Sequence, residues 1–166
     1  MGTGHSRADD RVMTNAVLQL LADKLAVTEA LYRYAAGVDL KDEALFASSL
    51  AVDAISDNSP ATAKIGLDYP AMHGRDTIVS AVLGSLAPFD TTHLVSNPRV
   101  TIDGDRAHLE AVVSAQHLPK IDHSRHLLMT NRYNVELIRQ GDVWVLHRLT
   151  VDNTWLDGDP SVLAGA

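Results

Sequence analysis

The chain has no cysteine, which excludes disulfides, thiolate metal sites and a cysteine nucleophile together. It has no apolar run near the roughly 20 residues that a membrane-spanning helix needs, and no basic-then-apolar leader. A cytoplasmic location with no membrane partner is therefore the expectation. Basic side chains are in deficit: 14 Lys and Arg stand against 21 Asp and Glu, a net charge of −7, with no local basic patch to offset it. No nucleic-acid partner is expected on that balance.

What is present suits one folded domain. A chain of 166 residues, 46% apolar and 21% charged, is long enough to enclose a core and a pocket. Eight histidines invite a metal, yet no HExxH occurs and no two lie on one helix face. His123 and His126 are close, but they flank a strand entry. The expectation is no metal and no cofactor.

Residues 1–12 lack a period and read as a flexible lead-in, 13–157 as the domain and 158–166 as a tail. From about Thr14, the residues Val17, Leu18, Leu20, Leu21, Leu25 and Val27 give an amphipathic helical pattern, read as two pieces ending near Leu40. A short helix follows to Ser48 with Asp42 as its N-cap. Ala51 to Ser56 reads as a strand, DNSPATAK as a loop, and Thr77 to Leu86 as a helix closed by Pro88.

The period then changes to two. Thr91–Ile102, Arg106–Leu118, Arg125–Arg139 and Val143–Trp155 read as long strands joined by turn residues, which makes an antiparallel meander. Helices first and strands afterwards argue for an α+β fold with helices packed against a strongly curved, mostly antiparallel sheet.

The stretch YRYAAGVDLKD is the chemical pivot. Counting back from Asp39, the residues Val38, Ala35, Tyr34, Leu31 and Val27 fall on one buried stripe, so Asp39 stands at the edge of an apolar face. Burial raises the pKa of such a carboxylate unless a cation or donor meets it. A helix end or cap is the ordinary role for an Asp so placed, and catalysis is the sharper one.

Alternation sorts the strands into faces. Ala107, Leu109, Ala111, Val113 and Ala115 share one with His117; Leu127, Met129, Tyr133, Val135 and Leu137 share another with Asn131; Leu149 and Val151 bring Asn153 to their side. The result is an aliphatic surface carrying isolated polar groups, the lining expected of a small-molecule pocket. His93 opens the meander, and alternation leaves its direction ambiguous. An imidazole beside a carboxylate takes the tautomer needed to relay a proton, which is the reason to pair His93 with Asp39.

The helix end GVDLKD, the entry GRDTI, the strand start THLVSN, the turn IDGDR and the segment RYNVEL with Trp144 and Trp155 resemble the SnoaL-like branch of the nuclear transport factor 2-like superfamily. The resemblance covers about Leu20 to Trp155. It implies a cone-shaped barrel with a deep pocket, and relatives that include scytalone dehydratase, dehydrochlorinases and ketosteroid isomerase. The dehydratase and dehydrochlorinases use an Asp–His pair, which falls on Asp39 and His93. A second pocket histidine falls on His117, and hydrogen-bonding side chains fall near Asn131 and Tyr133. Tyr34 stands where the dehydrochlorinases carry a pocket lysine; Val38 and Asn58 stand at or near positions where the dehydratase carries tyrosines.

The implied activity is a cofactor-independent lyase, a dehydratase-type elimination on a small hydrophobic cyclic or polyketide-like substrate. In it His93 is the base, Asp39 orients it, and His117 with Asn131 or Tyr133 binds the developing oxyanion or protonates the leaving group. Tyr34, Asn58, Leu149 and Asn153 complete the expected substrate-binding set. An isomerase or cyclase would need the same groups, and a non-catalytic ligand-binding module would reuse the fold. The resemblance also implies a homo-oligomer.

Overall fold

The computed structural model describes residues 7–163; the first six residues of the expected lead-in and the last three of the expected tail lie outside it. Helix α1 runs unbroken over Arg7–Leu40. The sequence reading had it start near Thr14 and divide in two. No glycine or proline occurs between Arg7 and Ala36, so nothing interrupts its hydrogen-bond ladder.

The second half of α1 is its packed half. Val27, Ala30, Leu31, Tyr34, Ala35 and Val38 recur at helical spacing and are all buried. The first half carries an apolar stripe that stays largely exposed, although Leu21 and Leu25 border Pro98, Arg99 and Val100. Val12, Met13, Val17, Leu18, Leu20, Leu21 and Leu25 are each 46–72% exposed. Where the two halves join, Asp23 pairs with Arg139 at 2.9 Å, and Arg139 stacks over the Trp144 ring at 4.4 Å.

Helix α2 (Glu43–Ser48) turns back against α1, capped by Asp42, whose side chain accepts from the Leu45 N–H at 2.9 Å. The two helices touch at Gly37, where an added Cβ would lie 2.5 Å from the Phe46 nitrogen. Phe46 then meets Tyr34 edge to face at 4.9 Å.

Strand β1 (Leu50–Asp57) is followed by α3 (Ser59–Ala63), inside the segment read as loop. Pro60 in its first turn favours that short helix, and Asp57 accepts from the Ser59 N–H and hydroxyl. Lys64 at its end reaches the Asp152 carboxylate at 2.6 Å and the Asn153 carbonyl, fixing α3 to the sheet. A two-residue β2 (Met72–His73) leads into α4 (Arg75–Leu86), which buries Ile78, Val79 and Val82.

The remaining strands are β3 (Phe89–Asp103), β4 (Arg106–Pro119), β5 (Leu127–Gln140) and β6 (Val143–Gly158). They form the expected antiparallel meander within one six-stranded sheet of order β2-β1-β6-β5-β4-β3. The one parallel pair, β1 with β6, makes the sheet mixed. The alternation holds: the apolar sets named on β4 and β5 are buried, and their polar alternates are mostly exposed or half-buried. A bulge between Ser96 and Arg99, with Asn97 at φ 51°, bends β3. The described part of the segment read as tail, residues 158–163, holds a turn. Pro160–Val162 forms a 3₁₀ turn capped by Asp159, and Val162 is 5% exposed.

Candidate active site

A cavity of about 340 Å³ opens between α1, α3, α4 and the sheet, within the range of small-molecule sites. Of the residues expected in it, Tyr34, Asn58, His93, His117, Asn131 and Tyr133 line it. Leu149 does not. It is 1% exposed and packed into the core, paired with Val135 and lying beside Ser56 of β1. Asn153 does not line it either, and Asp39 stands behind His93 rather than in the wall.

His93 projects inward, with its side chain 7% exposed, which settles the direction that alternation left open. Its ring Nδ1 lies 2.6 Å from Asp39 Oδ1, and its backbone N–H donates to Asp39 Oδ2, also at 2.6 Å. A carboxylate only accepts, so Nδ1 carries a proton, and in the uncharged ring Nε2 is the lone-pair acceptor. Burial pushes the Asp39 carboxyl up. The His93 ring hydrogen bond, the His93 charge, its backbone N–H and the Thr91 hydroxyl outweigh burial and hold Asp39 below the usual carboxylate range. Asp39 is thus the ionised partner of His93, not an acid whose proton burial has made available.

His117 faces His93 edge to face, ring centroids 6.2 Å apart, and Phe89 lies on it at 6.5 Å. Its Nδ1 is 3.2 Å from the Leu127 carbonyl, an acceptor, so this ring too carries its proton on Nδ1. Burial, followed by the neighbouring His93, pulls its pKa down to about 4. At neutral pH His117 is therefore an uncharged imidazole presenting a bare Nε2. In that state its Nε2 offers the cavity an acceptor.

The donors lie elsewhere. Asn153 donates from Nδ2 to the Trp155 carbonyl at 2.9 Å, to Asn131 Oδ1 at 3.0 Å and to the Thr130 carbonyl at 3.3 Å. Backbone carbonyls accept only, so this network fixes which end of the Asn153 amide is nitrogen, and hence that Asn131 meets it with oxygen. The Asn131 NH₂ is left for the cavity. Burial also lifts the Tyr133 phenol well above its ordinary value, with Tyr34 and Asp39 adding to the effect, so it stays protonated as a donor. Its hydroxyl makes no hydrogen bond among the described residues. Tyr34 is likewise lifted by burial, with Ser56 pulling slightly the other way.

The remaining wall includes residues that the pattern did not flag. Leu67, Asp68 and Tyr69 come from the irregular stretch before β2, Ser85 and Leu86 from α4, and Leu163 from beyond the 3₁₀ turn. Leu163 lies in the segment read as tail, and residues 67–69 have no period to betray them. Thr91 was findable, since it stands two residues before His93 on the same face of β3. Among the described residues no three His, Asp or Glu side chains gather as metal ligands. His123 and His126 pair separately with Asp90 and Asp157. No described helix is long and apolar enough to cross a membrane.

Residues 19–150 match the family model of a SnoaL-like domain. The chain is 33% identical over 149 residues to terrestric acid biosynthesis cluster protein E of Penicillium crustosum, covering 86% of this chain and 90% of that protein. Among solved structures, a protein of Kribbella flavida superposes with a TM-score of 0.77 at 24% identity, over 87% of this chain and 99% of that one. A provisionally assigned scytalone dehydratase of Novosphingobium aromaticivorans superposes with a TM-score of 0.71 at 17% identity, over 84% and 89%. At these identities the two structures establish the fold.

Proposed function

The chain belongs to the SnoaL-like domain family, and from that premise we propose that it is a cofactor-independent dehydratase acting on a small hydrophobic cyclic or polyketide-like hydroxy-carbonyl compound. The observation that carries this reading is the 2.6 Å contact of His93 Nδ1 with Asp39, which leaves Nε2 basic and turned to a mostly apolar cavity. The 33% identical relative is named for a biosynthetic cluster, and one structural neighbour is assigned as a dehydratase; both favour the same class.

In this mechanism His93 Nε2 removes the proton next to the substrate carbonyl. The Tyr133 hydroxyl and the Asn131 NH₂ donate to the oxygen on which negative charge develops. Asp39 stabilises the imidazolium. With His117 unprotonated, the proton that His93 has taken is the one available to the departing hydroxyl: the C–H and C–O bonds break, a C=C bond forms, and water leaves. His117 Nε2 accepts from the substrate hydroxyl and holds it on the side of His93. An isomerase or cyclase would use the same base and oxyanion donors, returning the proton to carbon instead.

The exposed apolar stripe on the first half of α1 favours a homo-oligomer, because patches of that size on a soluble protein usually meet a partner.

The test is turnover of a panel of cyclic β-hydroxy ketones, followed by absorbance of the conjugated enone. Wild-type enzyme is expected to form enone and His93→Ala to lose roughly 10²- to 10⁴-fold. Activity of His93→Ala within tenfold of wild type would remove the mechanism. Deuterium exchange into a ketone without enone formation would select the isomerase instead.

A further inference from the structure

Lys41 is not part of the cavity wall, yet its ammonium is directed at the strand that carries the base. It follows Leu40 at the end of α1 with φ 56°, a left-handed conformation that glycine adopts freely and a lysine does not. From there Nζ donates to the Val38 carbonyl at 3.0 Å and to Thr91 Oγ1 at 2.9 Å. A hydroxyl that accepts from an ammonium has its own proton free to donate. Asp39 is the neighbouring carboxylate on which the Thr91 hydroxyl acts, helping to keep it ionised.

Asp39 needs such help. It sits in the last turn of α1, where the helix dipole presents its negative end and disfavours an anion. A cation at the same terminus offsets this. Asp39, Asp90 and Lys120 are the charged groups that act on Lys41, and Lys41 acts in turn on His117.

We propose that Lys41 and Thr91 are positioning residues for the Asp39–His93 pair, forming one ordered chain of donors from the Lys41 ammonium through the Thr91 hydroxyl to the carboxylate that orients the base. Lys41, two residues beyond Asp39, holds Thr91, two residues before His93, at 2.9 Å, and in this arrangement the Thr91 hydroxyl joins the two donors of His93 on Asp39. Three donors leave the carboxylate one orientation, and that orientation sets the His93 tautomer. This rests on the proposed role of His93 but is read without turnover.

The experiment is ¹⁵N NMR of the imidazole rings in the full chain, which separates the Nδ1–H and Nε2–H tautomers of His93. Wild type is expected to show the Nδ1–H form. Lys41→Met and Thr91→Val should each lower the Nδ1–H to Nε2–H ratio roughly tenfold, the effect of one hydrogen bond to a charged group. Thr91→Ser should restore it. Lys41→Gly provides a second variant whether or not Lys41→Met folds. It relieves the positive φ, so it should melt no lower than wild type while still lowering the ratio. An unchanged ratio in Lys41→Gly and Thr91→Val would overturn the proposal and leave Lys41 a helix cap. A changed ratio in a protein that turns over no hydroxy ketone would uphold it and sink the dehydratase reading alone.

Discussion

Asp39 accepts twice from His93, once from the ring Nδ1 and once from the backbone N–H, both at 2.6 Å. The second contact fixes the carboxylate to the strand as well as to the ring. Asp39→Asn keeps an acceptor at one of its two atoms and loses the charge. Turnover in this variant is expected to fall on the order of 10²- to 10⁴-fold while the circular dichroism spectrum stays native. Steady-state kcat with CD of the same sample checks it, and kcat within threefold of wild type would detach Asp39 from catalysis.

His117 makes stability depend on pH in a predictable window. Its ordinary pKa is 6.5 and burial lowers it to about 4 in the fold, so between these values the unfolded chain binds a proton that the native one does not. Stability contributed by the neutral ring is complete above pH 6.5 and is lost as pH falls towards 4. By pH 5 the loss is about 2 kcal/mol. Asp39, with its lowered pKa, contributes its own loss only below the ordinary carboxylate range. The change in stability between pH 7 and pH 5, read from denaturant melts, should therefore be larger in wild type than in His117→Gln by about this amount; equal changes in both would refute the assignment.

Asn153 touches no part of the cavity, yet substitution there should reach the substrate. Asn153→Ala removes the donor that holds the Asn131 oxygen and leaves buried acceptors unmet, a stability cost of roughly 1–3 kcal/mol. Asn131 is then free to turn its oxygen inward, where an oxyanion repels it. Turnover is expected to drop while KM changes less, read from a full saturation curve. A pure stability loss with kcat intact would mean that Asn131 is not an oxyanion donor.

The stripe on α1 predicts association. Leu21→Glu with Leu25→Glu places charge among exposed apolar side chains without touching the core. Sedimentation is expected to show an oligomer for wild type and a smaller species for the double variant. Identical sedimentation would assign that stripe to some other use.

The sheet was legible because alternation over fourteen to sixteen residues admits little else, as β4, β5 and β6 show. The pairing of Asp39 with His93, 54 positions apart in sequence, was suggested by chemistry and by the resemblance but not by spacing, since no local period links a helix end to a strand start. The tautomer of His117 was not legible for a physical reason. Alternation places a ring inside but does not reveal that the Leu127 carbonyl takes its only proton. Leu149 and Asn153 were drawn into the lining because inward-facing does not distinguish a packed core from an open space. Val17 to Leu25 carried a burial pattern that stays largely exposed in the fold, which a period alone cannot foresee.

Gly37 gives the Asp39–His93 geometry an unexpected gauge. An added methyl there would overlap the Phe46 backbone, and the relief available is for the last turns of α1 to back away from α2. Asp39 rides on those turns, two residues on, and its bonds to His93 at 2.6 Å would lengthen beyond hydrogen-bond range with a shift of under an ångström. The reach of the carboxylate that His93 meets is thus calibrated by a single absent carbon, on a residue that carries no functional group of its own.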